Sequence, residues 1–551
     1  MAEFTRRDFL RAGAALAAAA AGTSLVGRFT PQAYASPRTK MPDKWDMEAD
    51  VVVVGSGTGL TGALAAAVQG SEVIVLEKLG IPGGSTIMSG GWVWIPNNPI
   101  MRAEGIHDSR ENALTYVRLI AGDQSEDEII ETFVDEGPKM VEFVAANTPI
   151  KWGIAQGLFQ AAEPCTEYHP EWPGAVPVGR SLCALVDGQP GRGPALIQAL
   201  LEGARAKGVK FYYNTPARQL IIRENPAGER EVIGLLAEQG GREIFIKARQ
   251  GVLLTAGGFD CNQEMKKSFL RGPTPYWTGS MGLTGDGILM AMAVGADLRN
   301  MNECYGMPVY KEEAERRNAQ GQAASLSFLL EKSKPGAIMV NRYGERFCNE
   351  ASDYDSLWRS FFAWENWGMI GYRNIPAYAI FDGSVREKYT ICGVAKDQPL
   401  PDWVKQANSL RELAAMMGID PDGLERTVRE FNEFAKNGKD ARFHRGESLY
   451  DRAWATPLEG IQATLGPIEN PPFFAAEIAP GDIGTSGGVR VNKHGQALDV
   501  LGRPIPRLYA AGNNSGVGGP GVGYGGGGGT IGPCMTFAYL AGKHAAGLPR
   551  W

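Results

Sequence analysis

The sequence predicts an α/β protein in which a Rossmann-like nucleotide-binding domain is interrupted by an inserted α+β domain. Three observations predict it. Val51-Val52-Val53-Val54 runs directly into Gly55-Ser56-Gly57-Thr58-Gly59 and then a helical stretch. Residues 306 to about 440 change character, with a charged stretch from Lys311 to Arg317 and an aromatic block of Trp358, Phe361, Phe362, Trp364 and Trp367. After Asp482 the chain returns to short apolar runs and glycine turns. The length of 551 residues agrees, since it exceeds one ordinary domain and leaves room for two or three.

Taken in order, the first element is a leader. Arg6-Arg7, an Ala/Gly-rich middle and Ala33-Tyr34-Ala35 are the parts of a twin-arginine export signal over residues 1–35. It predicts a periplasmic or cell-envelope protein, cytoplasmic if the signal is not used. Glycines 13, 22 and 27 break the apolar run short of a membrane span. No later segment reads as transmembrane, and peripheral membrane contact stays open.

The β-branched run 51–54 has the composition of a strand buried on both faces. Gly55 and Gly57 allow a sharp turn and close approach to a pyrophosphate at the N-terminus of the helix over 60–69. The third glycine falls at Gly59, and the position where G-x-G-x-x-G wants it holds Leu60. A second apolar strand over 73–76 ends at Glu77, placed to accept hydrogen bonds from a ribose hydroxyl, with Lys78 after it. Further on, the patterning predicts a helix over 197–207 and strands over 210–213, 220–222, 232–237 and 244–248. Another strand, over 251–259, runs into Ala256-Gly257-Gly258. The last helix is predicted over 530–544. The domain reading is a first part over 46–305, an inserted catalytic domain over 306–485 and a second part over 486–551.

Glycine is the compositional outlier, 72 residues of 551. Ten of the fourteen residues from Gly516 to Gly529 are glycine, with Tyr524 the single aromatic among them. A flexible linker is one reading, but only one helix follows for it to tether. A bare backbone beside a helix N-terminus suits packing on a flat ring and aiming N–H groups at a carbonyl oxygen. The net charge of −6 makes no electrostatic case for nucleic acid. Seven cysteines without a Cys-x-x-Cys pair and five scattered histidines exclude a disulfide scaffold and predict no metal site.

Several stretches together resemble one family, the FAD-dependent 3-ketosteroid Δ1-dehydrogenases, within the wider group that includes fumarate and succinate flavoproteins. They are VVVVGSGTGLTGALAAAVQG, GGSTIMSGGWVWIPNN, GVLLTAGGF, LTGDGI, RFCNEASDY, FHRGESLYDR, PGDIGTSGGVRV, LYAAGN and GTIGPCMTFAYLA, spread from about Asp46 to the C-terminus. The resemblance implies FAD, a steroid held between two domains over the flavin, and an external electron acceptor of quinone or dye-like chemistry. Besides Gly55 to Leu60, Glu77 and Lys78, it implies cofactor contacts from Gly84, Ser85, Thr86, Ser89, Gly90, Gly91 and Ala217. Ala256, Gly257, Gly258, Asp286, Gly512, Asn513, Gly529, Thr530 and Ile531 complete that set.

The resemblance also assigns roles. Tyr524 and the Gly528 N–H bind the steroid C3 carbonyl, Tyr354 is the base for the C2 proton, Tyr168 assists it, and flavin N5 takes hydride from C1. The chemistry is coherent, because a C2 hydrogen is acidic only when the C3 oxygen can carry charge, and donors aimed at that oxygen stabilise it. Free tyrosine titrates near ~10, so a tyrosine base needs a hydrogen bond to its phenolate. Glycines stand after Tyr524 where relatives commonly have prolines, and His169 stands where many have a second aromatic.

Three rival readings stand beside this one. A fumarate-type reductase needs a histidine where Gly484-Thr485-Ser486-Gly487-Gly488 has glycine, and the nearest histidine, His494, lies beyond the next strand. A Δ4-dehydrogenase of 5α-reduced 3-ketosteroids would use the same carbonyl activation with the base at another carbon. A flavoprotein that only relays electrons needs no substrate pocket, against which the aromatic block 358–367 and Tyr524 argue.

Overall fold

The computed structural model describes residues 37–157, 163–368, 371–517, 519 and 521–551. The export-signal reading over 1–35 lies outside them. Strands β1 (Met47–Val54) and β2 (Val73–Leu76) pair in parallel, Val53 opposite Val75, and both are almost wholly buried. Helix α1 (Gly59–Val68) connects the two strands. Beyond β2 the sheet adds β3 (Lys210–Tyr212), reached through α2 (Gly193–Ala206). An antiparallel meander follows: β4 (Ala217–Glu224), β5 (Arg230–Gln239) and β6 (Arg242–Leu254).

The strands predicted over 244–248 and 251–259 are thus one continuous strand. Its first half pairs with β5, and its second half lies parallel to β1 with Val53 opposite Leu253. A short polar break at Arg249-Gln250 reads as a boundary in sequence, yet Gln250 is buried, bonding the carbonyls of Ala546 and Leu548.

A second sheet is built from β7 (Cys304–Tyr310), β8 (Ala337–Asn341), β9 (Ala377–Phe381) and the long β10 (Phe473–Thr485). β10 is its spine: it pairs with β9 at one end and β7 at the other, and Tyr276–Trp277 adds a short parallel edge. Apolar clusters cover both faces of this sheet. Helix α3 (Tyr354–Ser360) packs on β7, capped by the Asp353 side chain accepting from the Ser356 N–H. Trp358 of that helix lies over Gly306, where a Cβ would meet its ring at 1.9 Å.

The chain then returns to the first sheet with β11 (Gln496–Leu498) and β12 (Pro504–Ala510), giving the order β11-β12-β6-β1-β2-β3. The final helix α4 (Ile531–Ala546) crosses α1 without side chains between them. A Cβ on Gly542 would lie 2.0 Å from the Gly62 carbonyl oxygen, and one on Gly62 would lie 2.6 Å from the Ala538 carbonyl oxygen. The carboxyl ends of β1, β2, β6 and β12 open on one side, where parallel α/β sheets bind their ligands. Among the described residues no helix is long and apolar enough to cross a membrane.

Candidate active site

A cavity of about 600 Å³ runs from the first glycine loop, past the ends of these strands, to a cluster of tyrosines under the second sheet. Every cofactor residue expected from the sequence lines it except Gly59, Leu60 and Gly529. Gly59 opens α1, and a Cβ there would sit 2.0 Å from the Thr255 hydroxyl oxygen. It therefore does the close helix-to-strand packing of the fingerprint's third glycine, one position early. Leu60 is free to be a core residue and is wholly buried. Gly529 lies behind the Tyr524 ring, where a Cβ would stand 3.3 Å from it.

At the loop, Gly57 and Thr58 line the cavity at the start of α1, and among the described residues nothing accepts from their N–H groups. That is the disposition an anionic pyrophosphate needs. Glu77 is buried, accepts from the Ser56 N–H at 3.2 Å and hydroxyl at 2.5 Å, and from the Leu79 N–H at 2.8 Å. Burial raises its carboxyl above the ordinary range, against the pull of those donors. Lys78 ties the end of β2 to the facing wall through Thr284 at 2.6 Å and Asp286 at 2.9 Å. The Ser85 hydroxyl accepts from the Ser280 N–H at 2.9 Å. Thr215, Pro216, Gly279, Ser280 and Leu283 complete this end. They lie in turns with no fingerprint, so no sequence signal marks them.

The glycine tract is a packed strap. Cβ atoms would strike Ala121 from Gly521, Ile120 from Gly525, the Thr166 carbonyl from Gly526 and the Trp92 ring from Gly527, all under 3 Å. Most of its glycines thus admit protein neighbours; among the described residues only Gly527 and Gly528 of the tract's glycines line the cavity. The strap is fixed by the Tyr168 N–H donating to Gly525 O at 3.0 Å, Gly527 N–H to Thr166 O at 2.8 Å, and the Tyr116 hydroxyl to Gly525 O at 2.7 Å. Gly528 has φ +92° with its Cβ position 2.5 Å from the Trp92 carbonyl, so only glycine fits. Among the described residues nothing accepts a hydrogen bond from the Gly528 N–H.

Three tyrosines from three distant segments meet beside it, each buried. Tyr524 stacks on Tyr168 at 5.1 Å and 18°, and Tyr354 stands edge-on to both, at 5.5 Å from Tyr168 and 5.4 Å from Tyr524. The Tyr168 hydroxyl donates to the Tyr354 hydroxyl at 3.2 Å, and Thr530 donates to the Tyr524 oxygen at 3.1 Å. Burial pushes Tyr168 and Tyr354 well above the ordinary tyrosine range. Burial raises Tyr524 too, but Thr530 and Tyr354 as donors to its oxygen work the other way. Trp92, Trp454, Met307 and three leucines, Leu326, Leu329 and Leu330, close the walls here. The aromatic block 358–367 does not: Trp358 and Phe361 are buried in other cores, Trp364 and Trp367 are exposed, and none lines the cavity. His494 is also elsewhere, stacked on His544 at 4.7 Å.

The family model for the FAD binding domain matches residues 50–530. A 3-oxosteroid 1-dehydrogenase of Mycobacterium tuberculosis is 35% identical, over 91% of this chain and 98% of its own. This chain belongs to the FAD-binding 3-oxosteroid 1-dehydrogenase family. Another relative of this flavoprotein, the 4-oxocyclohexanecarboxylate 2-dehydrogenase of Sinomonas cyclohexanicum, is 32% identical over 90% of this chain and 93% of its own. A solved structure, the 3-ketosteroid Δ1-dehydrogenase of Sterolibacterium denitrificans with 1,4-androstadiene-3,17-dione, superposes with TM-score 0.81 at 29% identity. The match covers 91% of this chain and 99% of that one. The 3-ketosteroid Δ4-(5α)-dehydrogenase of Rhodococcus jostii matches with TM-score 0.69 at 25% identity, over 93% and 100%. FAD fits the residues present: unpaired loop N–H groups at a helix N-terminus, a buried carboxylate at the second strand end, and side-chain-free backbone between them and the tyrosines.

Proposed function

We propose that this flavoprotein removes hydrogen from C1 and C2 of 3-ketosteroids, converting a 3-oxo-4-ene to a 3-oxo-1,4-diene. The observation that carries the reading is the meeting of two kinds of group at one cavity end. Tyr524 and the unpaired Gly528 N–H are donors for a carbonyl oxygen, and the hydrogen-bonded pair Tyr354–Tyr168 stands beside them. As the C2 proton leaves, charge develops on the C3 oxygen, and these donors are preorganised for it among buried rings. Tyr354 takes the proton, and Tyr168 donates to the phenolate that would otherwise be unsupported. FAD, when bound, would supply the hydride acceptor at its N5. Gly57, Thr58 and Glu77 would hold its pyrophosphate and ribose, and Thr530 and Ile531 line the cavity where its ring would lie.

The Tyr168–Tyr354 contact favours the Δ1 reading over a Δ4-dehydrogenase, because it supports a base placed next to the carbonyl donors. Anaerobic mixing with androst-4-ene-3,17-dione is expected to bleach the flavin and yield the 1,4-diene. Bleaching only by a 5α-reduced ketosteroid would replace Δ1 with Δ4, and no bleaching by any 3-ketosteroid would end the reading. Turnover requires an external electron acceptor, for which quinone or dye-like chemistry is proposed; comparing rates with a quinone and a dye tests this. Export by the twin-arginine route is proposed from Arg6-Arg7 and Ala33-Tyr34-Ala35. A native protein beginning at Ser36 supports it, and one beginning at its first residues refutes it.

A further inference from the structure

The two ends of the substrate cavity are chemically unlike. Around the tyrosines it is closed by aromatic rings: Trp92 meets Trp454 edge to face at 6.1 Å, and Tyr450 backs Trp454 at 5.3 Å. The Trp454 indole N–H is spent on the Cys165 carbonyl at 3.0 Å. Met307, Leu326, Leu329 and Leu330 add an aliphatic stretch of wall. Met307 of β7 leads to the short helix Ser327–Glu331, whose Leu329 and Leu330 follow Leu326 at three and four residues and so share one face. Leu329 packs against the cluster that holds Tyr168, Tyr354 and Tyr524. Leu326 and Leu330 line the same cavity but are 43% and 39% exposed, which places its mouth at these two side chains.

A rim of exposed leucine is unfavourable in water unless a ligand covers it. With the ketone held at the closed end, the opposite end of a four-ring skeleton, C17, points toward the mouth. None of Met307, Leu326, Leu329 and Leu330 carries a hydrogen-bond donor for an oxygen there. We propose that the substrates of this enzyme are 3-ketosteroids retaining an aliphatic side chain at C17, which lies across Leu326 and Leu330. This rests on the 3-ketosteroid reading above and adds its substrate class. Each methylene moved out of water is worth about fourfold in affinity, so two or three covered at the rim give at least about tenfold.

The test uses the FAD-loaded enzyme with cholest-4-en-3-one and androst-4-ene-3,17-dione, each presented in the same cyclodextrin. The expected kcat/KM is at least about tenfold higher for the side-chain substrate. In the double variant Leu326→Ser/Leu330→Ser that ratio is expected to collapse toward one, whereas a merely structural role would lower both substrates together. Leu330→Trp, which narrows the mouth, is expected to impair the side-chain substrate selectively. A wild-type ratio at or below one, or a ratio unmoved by the double variant, overturns the inference. Good turnover of the androstenedione with poor turnover of the cholestenone sinks this inference alone; inertness of both sinks the reading beneath it.

Discussion

Replacing Tyr524 with phenylalanine removes one oxygen atom from the proposed carbonyl site and little else. The ring remains stacked on Tyr168 at 5.1 Å and backed by Gly529, so the cavity keeps its shape. Thr530 loses the acceptor for its hydroxyl. The loss therefore falls on the developing oxyanion. Tyr524 is 6% exposed, so no solvent substitutes for the missing donor, and the Gly528 N–H is left alone. Losing one of two such donors costs about 10²–10³ in rate, or roughly 3–4 kcal/mol of transition-state stabilisation. Stopped-flow bleaching of the bound flavin by androst-4-ene-3,17-dione, without oxygen, measures that step directly. FAD content is expected to match the wild type. A bleaching rate within threefold of wild type, with FAD retained, would refute the role of this phenol.

The base predicts its own pH dependence. Because burial raises Tyr354, its active phenolate form is scarce at neutral pH and grows about tenfold per pH unit, so kcat should climb into the alkaline range. Tyr168→Phe, which removes the 3.2 Å hydrogen bond, should displace that limb; an unchanged profile would detach Tyr168 from the proton step. Gly528→Ala should lower turnover at least a hundredfold, since the new methyl meets the Trp92 carbonyl at 2.5 Å and drives the N–H away; steady-state kinetics with a circular-dichroism check on folding would show it. Glu77→Gln should weaken FAD binding by about 10–100-fold, the worth of a hydrogen bond to a charged group, read by fluorescence titration of the apoprotein. Arg346→Met should lower the melting temperature through a loss of about 3–5 kcal/mol, because buried Glu350 and Asp440 each lose a partner at 2.7–2.8 Å. Burial alone would raise both carboxyls, but Arg346 outweighs it and holds them low. The contribution of Arg346 is therefore intact at neutral pH and fades as acid takes the pH down through those depressed values.

What could be read from the sequence divides along physical lines. The unit from Val51 to Glu77 was legible because its meaning is local: β-branched residues, turn glycines and an acid at fixed spacing leave few other folds. The misplacement of Leu60 had a local cause as well, since nothing nearby reveals that Gly59 presses on Thr255, nearly two hundred residues away. Tyr524 stood out as the single aromatic of the glycine tract, but Tyr354 and Tyr168 were legible only through resemblance. The chain has 17 tyrosines, and those at 168, 354 and 524 become a set only when three segments pack together. Leu326, Leu329, Leu330 and Trp454 carried no signal, because apolar side chains lining a cavity look like core. The block 358–367 misled for the converse reason: its rings fill gaps between α3 and its neighbours, as Trp358 does over Gly306. In the glycine tract the need for bare backbone was visible, but not that most of it admits Trp92, Ile120, Ala121 and Thr166.

The contact between Gly62 and Gly542 joins the start of the molecule to its finish. One helix starts beside the first glycine loop and the other beside the tyrosines, and where they meet each presents a glycine. During synthesis the nascent polypeptide can form the early strands and still own only half a socket, until the segment that carries α4 has cleared the ribosome. Cofactor loading in such a protein reports docking: a yellow molecule is one in which two helices far apart along the chain have met.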